Sequence, residues 1–151
     1  MAGTPEDLLA ENYSRVAARL LESLVEFLSV GRHAYGDLER LLLFVIIAQR
    51  AYSDRTYSEA ALGSDPPGAA HLTPLSTNIL SLAEAASLPR ETVRRKINEL
   101  VDRGVVTRVG VNVALTPLGI DSLALARKAL IRFTAQQHSV LAKLLAEQKT
   151  P

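Results

Sequence analysis

A mainly α-helical protein with one short two-stranded hairpin is what the sequence predicts, and three observations predict it. Apolar residues recur at steps of three and four over two long stretches, one near each end of the 151-residue chain. A central stretch from about residue 75 to 103 carries two shorter helical patterns separated by Ser87, Leu88 and Pro89. Behind it, two β-branched runs flank a glycine, the mark of a tight hairpin.

Each element has its own justification. The first helix is predicted from about Glu6 to Val30, with Thr4 or Pro5 starting it and Glu6 and Asp7 at the positive end of its dipole. Its stripe is Leu9, Tyr13, Val16, Ala17, Leu20, Leu24, Phe27 and Leu28, widened by Leu8, Leu21 and Val25, with Gly31 as its stop. The second helix is predicted from about Leu38 to Tyr52, with Asp37 as N-cap. Leu41 to Ala48 is apolar on every side, so this helix belongs in a core. That run is far shorter than the ~20 residues a membrane span needs, and Arg40 and Arg50 flank it.

Residues 54–74 break the pattern at Asp65, Pro66, Pro67 and Gly68, with at most a helical turn or two over Tyr57 to Leu62. They read as a linker between an N-terminal helical assembly segment, residues 1–53, and a reading domain, residues 75–116. Residues 117–151 read as a long terminal helix that starts at Pro117. Its seam, Leu123, Ala126, Leu130, Phe133, Gln137, Val140 and Leu144, alternates threes and fours like a heptad. At ~30 residues it would be ~45 Å long, which suggests dimerisation through the terminal helices; packing along the chain's own first helix is the alternative.

The central stretch carries the functional argument. Ser76 is the expected N-cap of a helix from Thr77 to Ala86, and Ala83 is small enough for a close helix crossing. Leu88 is the expected plug of the turn, and Pro89 suits the start of the next helix, Arg90 to Arg103. Val93, Ile97 and Leu100 have core spacing there, while Arg90, Glu91, Arg94 and Arg95 fall on the other face with Thr92 and Lys96 at its flanks. Gly104 is a left-handed stop, and Val105–Val109, a turn over Gly110–Asn112, and Val113–Thr116 form a hairpin. Helix, turn, helix and hairpin in this order are the plan of a winged helix-turn-helix with a short two-stranded wing.

In that geometry the first turns of the second helix reach base edges, and the arginine fork bonds guanine O6 and N7 together. The candidate DNA-binding residues are Ser76, Thr77, Arg90, Glu91, Thr92, Arg94, Arg95, Lys96, Arg108 and Asn112. Charge distribution agrees. Residues 1–75 hold six basic and ten acidic side chains, and residues 76–151 hold eleven and six, so an overall +1 hides an acidic front and a basic back.

The run LPRETVRRKINELVDRGVV resembles the helix-turn-helix of bacterial winged-helix transcriptional regulators. Its Pro89–Arg95 portion is similar to the recognition helix of GntR-type repressors, and Ala114–Gly119 resembles the strand-to-helix step of MarR-type regulators. The resemblance covers about residues 74–120 and implies double-stranded DNA as partner, with Arg90, Thr92 and Arg94 at operator-reading positions. Two departures stand out: the reading segment is central where GntR-type proteins have it N-terminal, and no large ligand domain follows. The helical flanks are closer to MarR-type dimers, so the resemblance implies DNA binding and a homodimer, with repression by promoter occlusion as the default mode. The alternative is a winged-helix protein-interaction module that binds no DNA.

Other chemistry finds little support. The chain has no cysteine, and His33, His71 and His138 lack metal-ligand spacing. No phosphate loop or nucleophile elbow is present, so neither enzymatic activity, a catalytic residue, a metal nor a cofactor is expected. For a small-molecule effector of unknown class, Tyr13, Tyr35, Phe44 and Tyr52 are the candidate lining residues. The acidic N-terminus lacks the basic start of a signal peptide, and a cytoplasmic, membrane-free location follows by default.

Overall fold

The computed structural model describes residues 4–53 and 77–148. Six helices and one two-stranded antiparallel sheet are found among them: α1 Pro5–Glu11, α2 Tyr13–Tyr35, α3 Leu38–Ser53, α4 Ile79–Ala86, α5 Arg90–Asp102, β1 Val106–Val109, β2 Asn112–Leu115 and α6 Pro117–Gln148. None of these helices is long and apolar enough to cross a membrane. The chain divides into two compact units, residues 1–34 with 125–151, and residues 35–124. The linker assigned to 54–74, its Tyr57–Leu62 turn, His71 and the Ser76 cap lie outside the described residues.

In the first unit the single N-terminal helix expected from the sequence is two. Thr4 and Asp7 form a reciprocal cap at the start of α1, and the two hydrogen bonds from Thr4 hold the Asp7 carboxyl below its ordinary pKa. Helix α1 stops at Asn12, whose side-chain amide donates to the Leu8 carbonyl at 2.9 Å beside its own backbone N–H at 3.2 Å. Helix α2 runs through Gly31 and ends only at Gly36, whose φ of +91° is open to glycine and strained for other residues. Leu8, Val16, Val140 and Leu144 form the buried cluster of this unit, with Leu9, Leu20 and Leu141 packed on it. The Gln137 amide donates to Ser23 Oγ at 2.6 Å, and Phe27 and Phe133 approach with ring centroids 5.6 Å apart. The C-terminal part of the heptad seam is thus engaged by the chain's own α1 and α2. Leu130 is left exposed, as are Leu21, Val25 and Leu28 of α2.

The second unit is built on α3. Leu43, Phe44 and Ile47 are fully buried, and α3 packs on α4, α5 and β2. The run Leu41 to Ala48 is nevertheless not covered all round, because Leu42 and Val45 are exposed. Asp37 caps α3 as expected, accepting from the Arg40 amide at 2.8 Å. The α3 stretch, placed by sequence in the assembly segment 1–53, therefore builds the core beneath α4 and α5. Leu82 from α4, Val93, Ile97 and Leu100 from α5, and Val106 and Val113 from the hairpin complete that core. Tyr35 stacks on Phe44 at 4.6 Å between centroids, and burial raises the pKa of its phenol.

The cap of α4 is Asn78, two residues later than the sequence suggests: its side chain accepts from the Ser81 amide, and Ser81 Oγ accepts from the Asn78 amide. The α4–α5 turn places Ser87 at φ +53° in the left-handed region. Gly104 follows α5 with φ +75°, and the hairpin pairs Val106 with Leu115 through to Val109 with Asn112. Thr77 lies beside the hairpin, its carbonyl accepting from the Val113 amide at 2.7 Å and Asn78 bridging Asn112.

Two substitutions test this packing. Gly119 sits so close to the Val105 carbonyl that a Cβ would overlap its oxygen. Gly119→Ala should therefore lower stability by about 1–3 kcal/mol in urea denaturation. The Thr77 hydroxyl is buried with no partner among the described residues, so Thr77→Val should leave stability unchanged or raise it by about 1 kcal/mol in the same assay.

Candidate nucleic-acid interface

Helix α5 is amphipathic in a way that fixes what it shows to solvent. Val93, Ile97 and Leu100 recur at four and three and are fully buried, so the residues on the opposite side of the helix point outward. Arg90, Glu91, Arg94 and Arg95 are exposed, and Thr92 is half-buried at the edge. Within this face Arg94 Nη1 lies 3.8 Å from Glu91 Oε2, a loose and solvated pair. Pro89 offers α5 no side-chain cap, so the N–H groups of the first turn are not taken up by one. Those amides and the helix dipole favour an anion at the end that carries the arginines.

The hairpin adds one cation to this side. Arg108 Nη2 donates to Asn98 Oδ1 at 2.7 Å, tying the exposed strand residue to the outer face of α5. The tip, Gly110 and Val111, carries no charge, and Val111 is 79% exposed. Asn112 is half-buried at the start of β2, where backbone pairing with Val109 and the bridge to Asn78 hold it.

Two of the residues proposed from sequence face the other way. Lys96 is buried, with Nζ 2.7 Å from Asp37 Oδ2, 3.6 Å from Glu39 Oε2 and 3.9 Å from Glu99 Oε2. It lies one turn from Val93 and Leu100, at i+3 and i−4, which places it on the inner edge of the helix. Thr77 has no exposed surface and belongs to the hairpin's packing. Neither is available to a phosphate. Arg90, Glu91, Arg94, Arg95 and Arg108 remain as an exposed group, with Thr92 and Asn112 at its margin.

The inward charges form a cluster at the start of α3. Arg40 pairs with Glu99 and lies 3.3 Å from Asp37, so Asp37 and Glu99 share Arg40 and Lys96 between α3 and α5. Burial pushes the Asp37 pKa up. The Lys96 hydrogen bond, the Arg40 amide and the two nearby positive charges outweigh it, so the carboxyl titrates below its ordinary 3.8. Sequence reading missed this cluster, although the 93, 96, 97, 100 spacing was a sign that Lys96 turns inward. The Asn98–Arg108 contact had no sequence signal, because it depends on how the hairpin folds back.

Of the aromatic residues considered for an effector pocket, Tyr35 and Phe44 pack on each other. Tyr35 and Phe44 are core residues of the second unit, and Tyr13 and Tyr52 are exposed. Among the described residues, no group of histidine and carboxylate side chains is arranged to hold a metal ion. Comparison with known proteins identifies no relative: no family model matches the chain, and neither a curated protein nor a solved structure is significantly similar to it.

The cluster makes a pH-dependent prediction. A carboxyl with a depressed folded-state pKa contributes stability that is present above its unfolded value and lost as pH falls through the folded one. Asp37→Asn should therefore destabilise the protein at pH 7, and the gap to wild type should close as pH falls below about 4 in urea melts.

Proposed function

We propose that the protein is a sequence-specific DNA-binding regulator, built on a winged helix-turn-helix and acting as a homodimer that represses by occluding a promoter. The observation that carries this reading is the outer face of α5. Three arginines, Arg90, Arg94 and Arg95, stand exposed on the side opposite a fully buried apolar row. Arginine at the N-terminal turns of a groove-entering helix suits guanine readout, and Arg108 on the hairpin suits a flanking phosphate. The order α4, turn, α5, hairpin, with residues 77 and 78 laid beside the hairpin, is consistent with a wing.

Dimerisation in this reading rests on apolar surface that one chain leaves uncovered: Leu21, Val25 and Leu28 on α2, and Leu130 and Ile131 on α6. Two copies would present two α5 helices to successive major grooves of an inverted repeat. Glu91 favours a second reading, a protein-interaction module, because an 82% exposed acid among the arginines repels phosphate and suits a mixed-charge partner.

Selection of bound duplexes from a random pool, at physiological salt, separates the two. Enrichment of an inverted repeat supports the regulator; a folded protein that enriches nothing supports the module. On the selected site, Arg90→Ala or Arg94→Ala should cost about 1–3 kcal/mol and relax the preference at one base position. Lys96→Ala, by contrast, should leave the slope of affinity against salt unchanged, since the slope counts phosphate contacts and Lys96 makes none in this reading.

A further inference from the structure

The first unit contains a cleft between α2 and α6 that DNA reading does not use. Its volume is about 190 Å³, and it is lined by Phe27, Val30, Leu125, Ala129 and Phe133 on the apolar side. The rim is charged. Arg132 Nη1 lies 3.1 Å from Glu26 Oε1, both side chains being substantially exposed, and Lys128 lines the cleft with no ion-pair partner among the described residues. Gln136, also in the lining, has its amide Oε1 buried with no hydrogen-bond partner among the described residues.

We propose that this cleft binds a small amphipathic carboxylate of about ten non-hydrogen atoms, its apolar body against Phe27 and Phe133 and its carboxylate on Lys128 and Arg132. Three arguments lead there. The first is size: an apolar cavity of about 150 Å³ accepts benzene, so one somewhat larger and open at its rim accepts a few atoms more. The second is charge: the lining holds two cations and one acid, and the acid is already paired with Arg132, which leaves Lys128 as an uncompensated positive charge. An anionic head is attracted there, and an ammonium head is repelled.

The third is the Gln136 amide. Its oxygen faces no donor among the described residues, and an amide that exchanges its oxygen and nitrogen positions offers an N–H in the same place. Gln136 lies one turn beyond Arg132 on α6, so that N–H can donate to a carboxylate held at Arg132. The site lies within one unit and does not depend on the DNA-reading proposal.

The test is calorimetric titration of the full chain with octanoate, octanol and octylammonium at physiological salt. Octanoate should bind at one site per chain, with a dissociation constant between about 10 μM and 1 mM. Octanol should bind at least about tenfold more weakly, and octylammonium not measurably, as charge selectivity at Lys128 requires. Lys128→Glu, an exposed helix position, should weaken octanoate at least about tenfold while leaving the melting temperature near wild type. Ala129→Phe should fill the cleft and abolish binding, with circular dichroism reporting that the helices persist. Equal binding of all three amphiphiles would mark non-specific uptake on the exposed leucines and overturn the proposal. So would octanoate binding unchanged in Lys128→Glu or retained in a folded Ala129→Phe, or no octanoate binding to the wild type.

Discussion

The burial of one side of α5 against α3 is the constraint on which the second unit depends. Val93, Ile97 and Leu100 have no exposed surface, and neither have Leu43, Phe44 and Ile47 beneath them. Once that apolar row is fixed, the helical repeat leaves Arg90, Arg94 and Arg95 no direction but outward. The hairpin follows from the same burial, because Val106 and Val113 complete the core and leave Arg108 on the solvent side. An exposed basic face and a closed apolar core are two consequences of one rotation of α5 about its axis.

Polar contacts set that rotation more finely than apolar ones can. Lys96 reaches Asp37 across 59 positions of sequence, and Arg40 reaches Glu99 the same way. Charges held at the edge of a core have few acceptable partners, so they penalise small slips that a greasy contact would tolerate. In the proposed reading this cluster has a functional consequence without touching DNA: it holds the face that does. The first unit uses the same device in neutral form, with Gln137 bonding Ser23 beside an otherwise apolar seam.

Much of the secondary structure was legible because its signals are local. Pro89 and Gly104 bracket α5, Pro117 opens α6, and the β-branched runs around Gly110 give the hairpin to within a residue. Local signals failed where an asparagine side chain bonds a helix end. Asn12, whose side chain caps the Leu8 carbonyl, stands between α1 and α2, and Asn78 displaces the expected cap through its exchange with Ser81. Gly31 was misread for a related reason: glycine permits a helix stop without requiring one, and the left-handed residue that ends α2 is Gly36.

The candidate site divides along the same line. Periodicity alone determined that α5 has a buried row and an arginine-bearing face, because that depends only on the 3.6-residue repeat. It did not determine what lies beside the helix. Only the tertiary structure showed that Lys96 is held by α3 carboxylates, that Thr77 is buried against the hairpin, and that Asn98 holds Arg108. It also decided that the lower part of the α6 seam packs on the chain's own N-terminal helices. The physical reason is that a repeat specifies a direction around one helix axis, whereas a partner is specified only when distant segments are brought within a few ångströms.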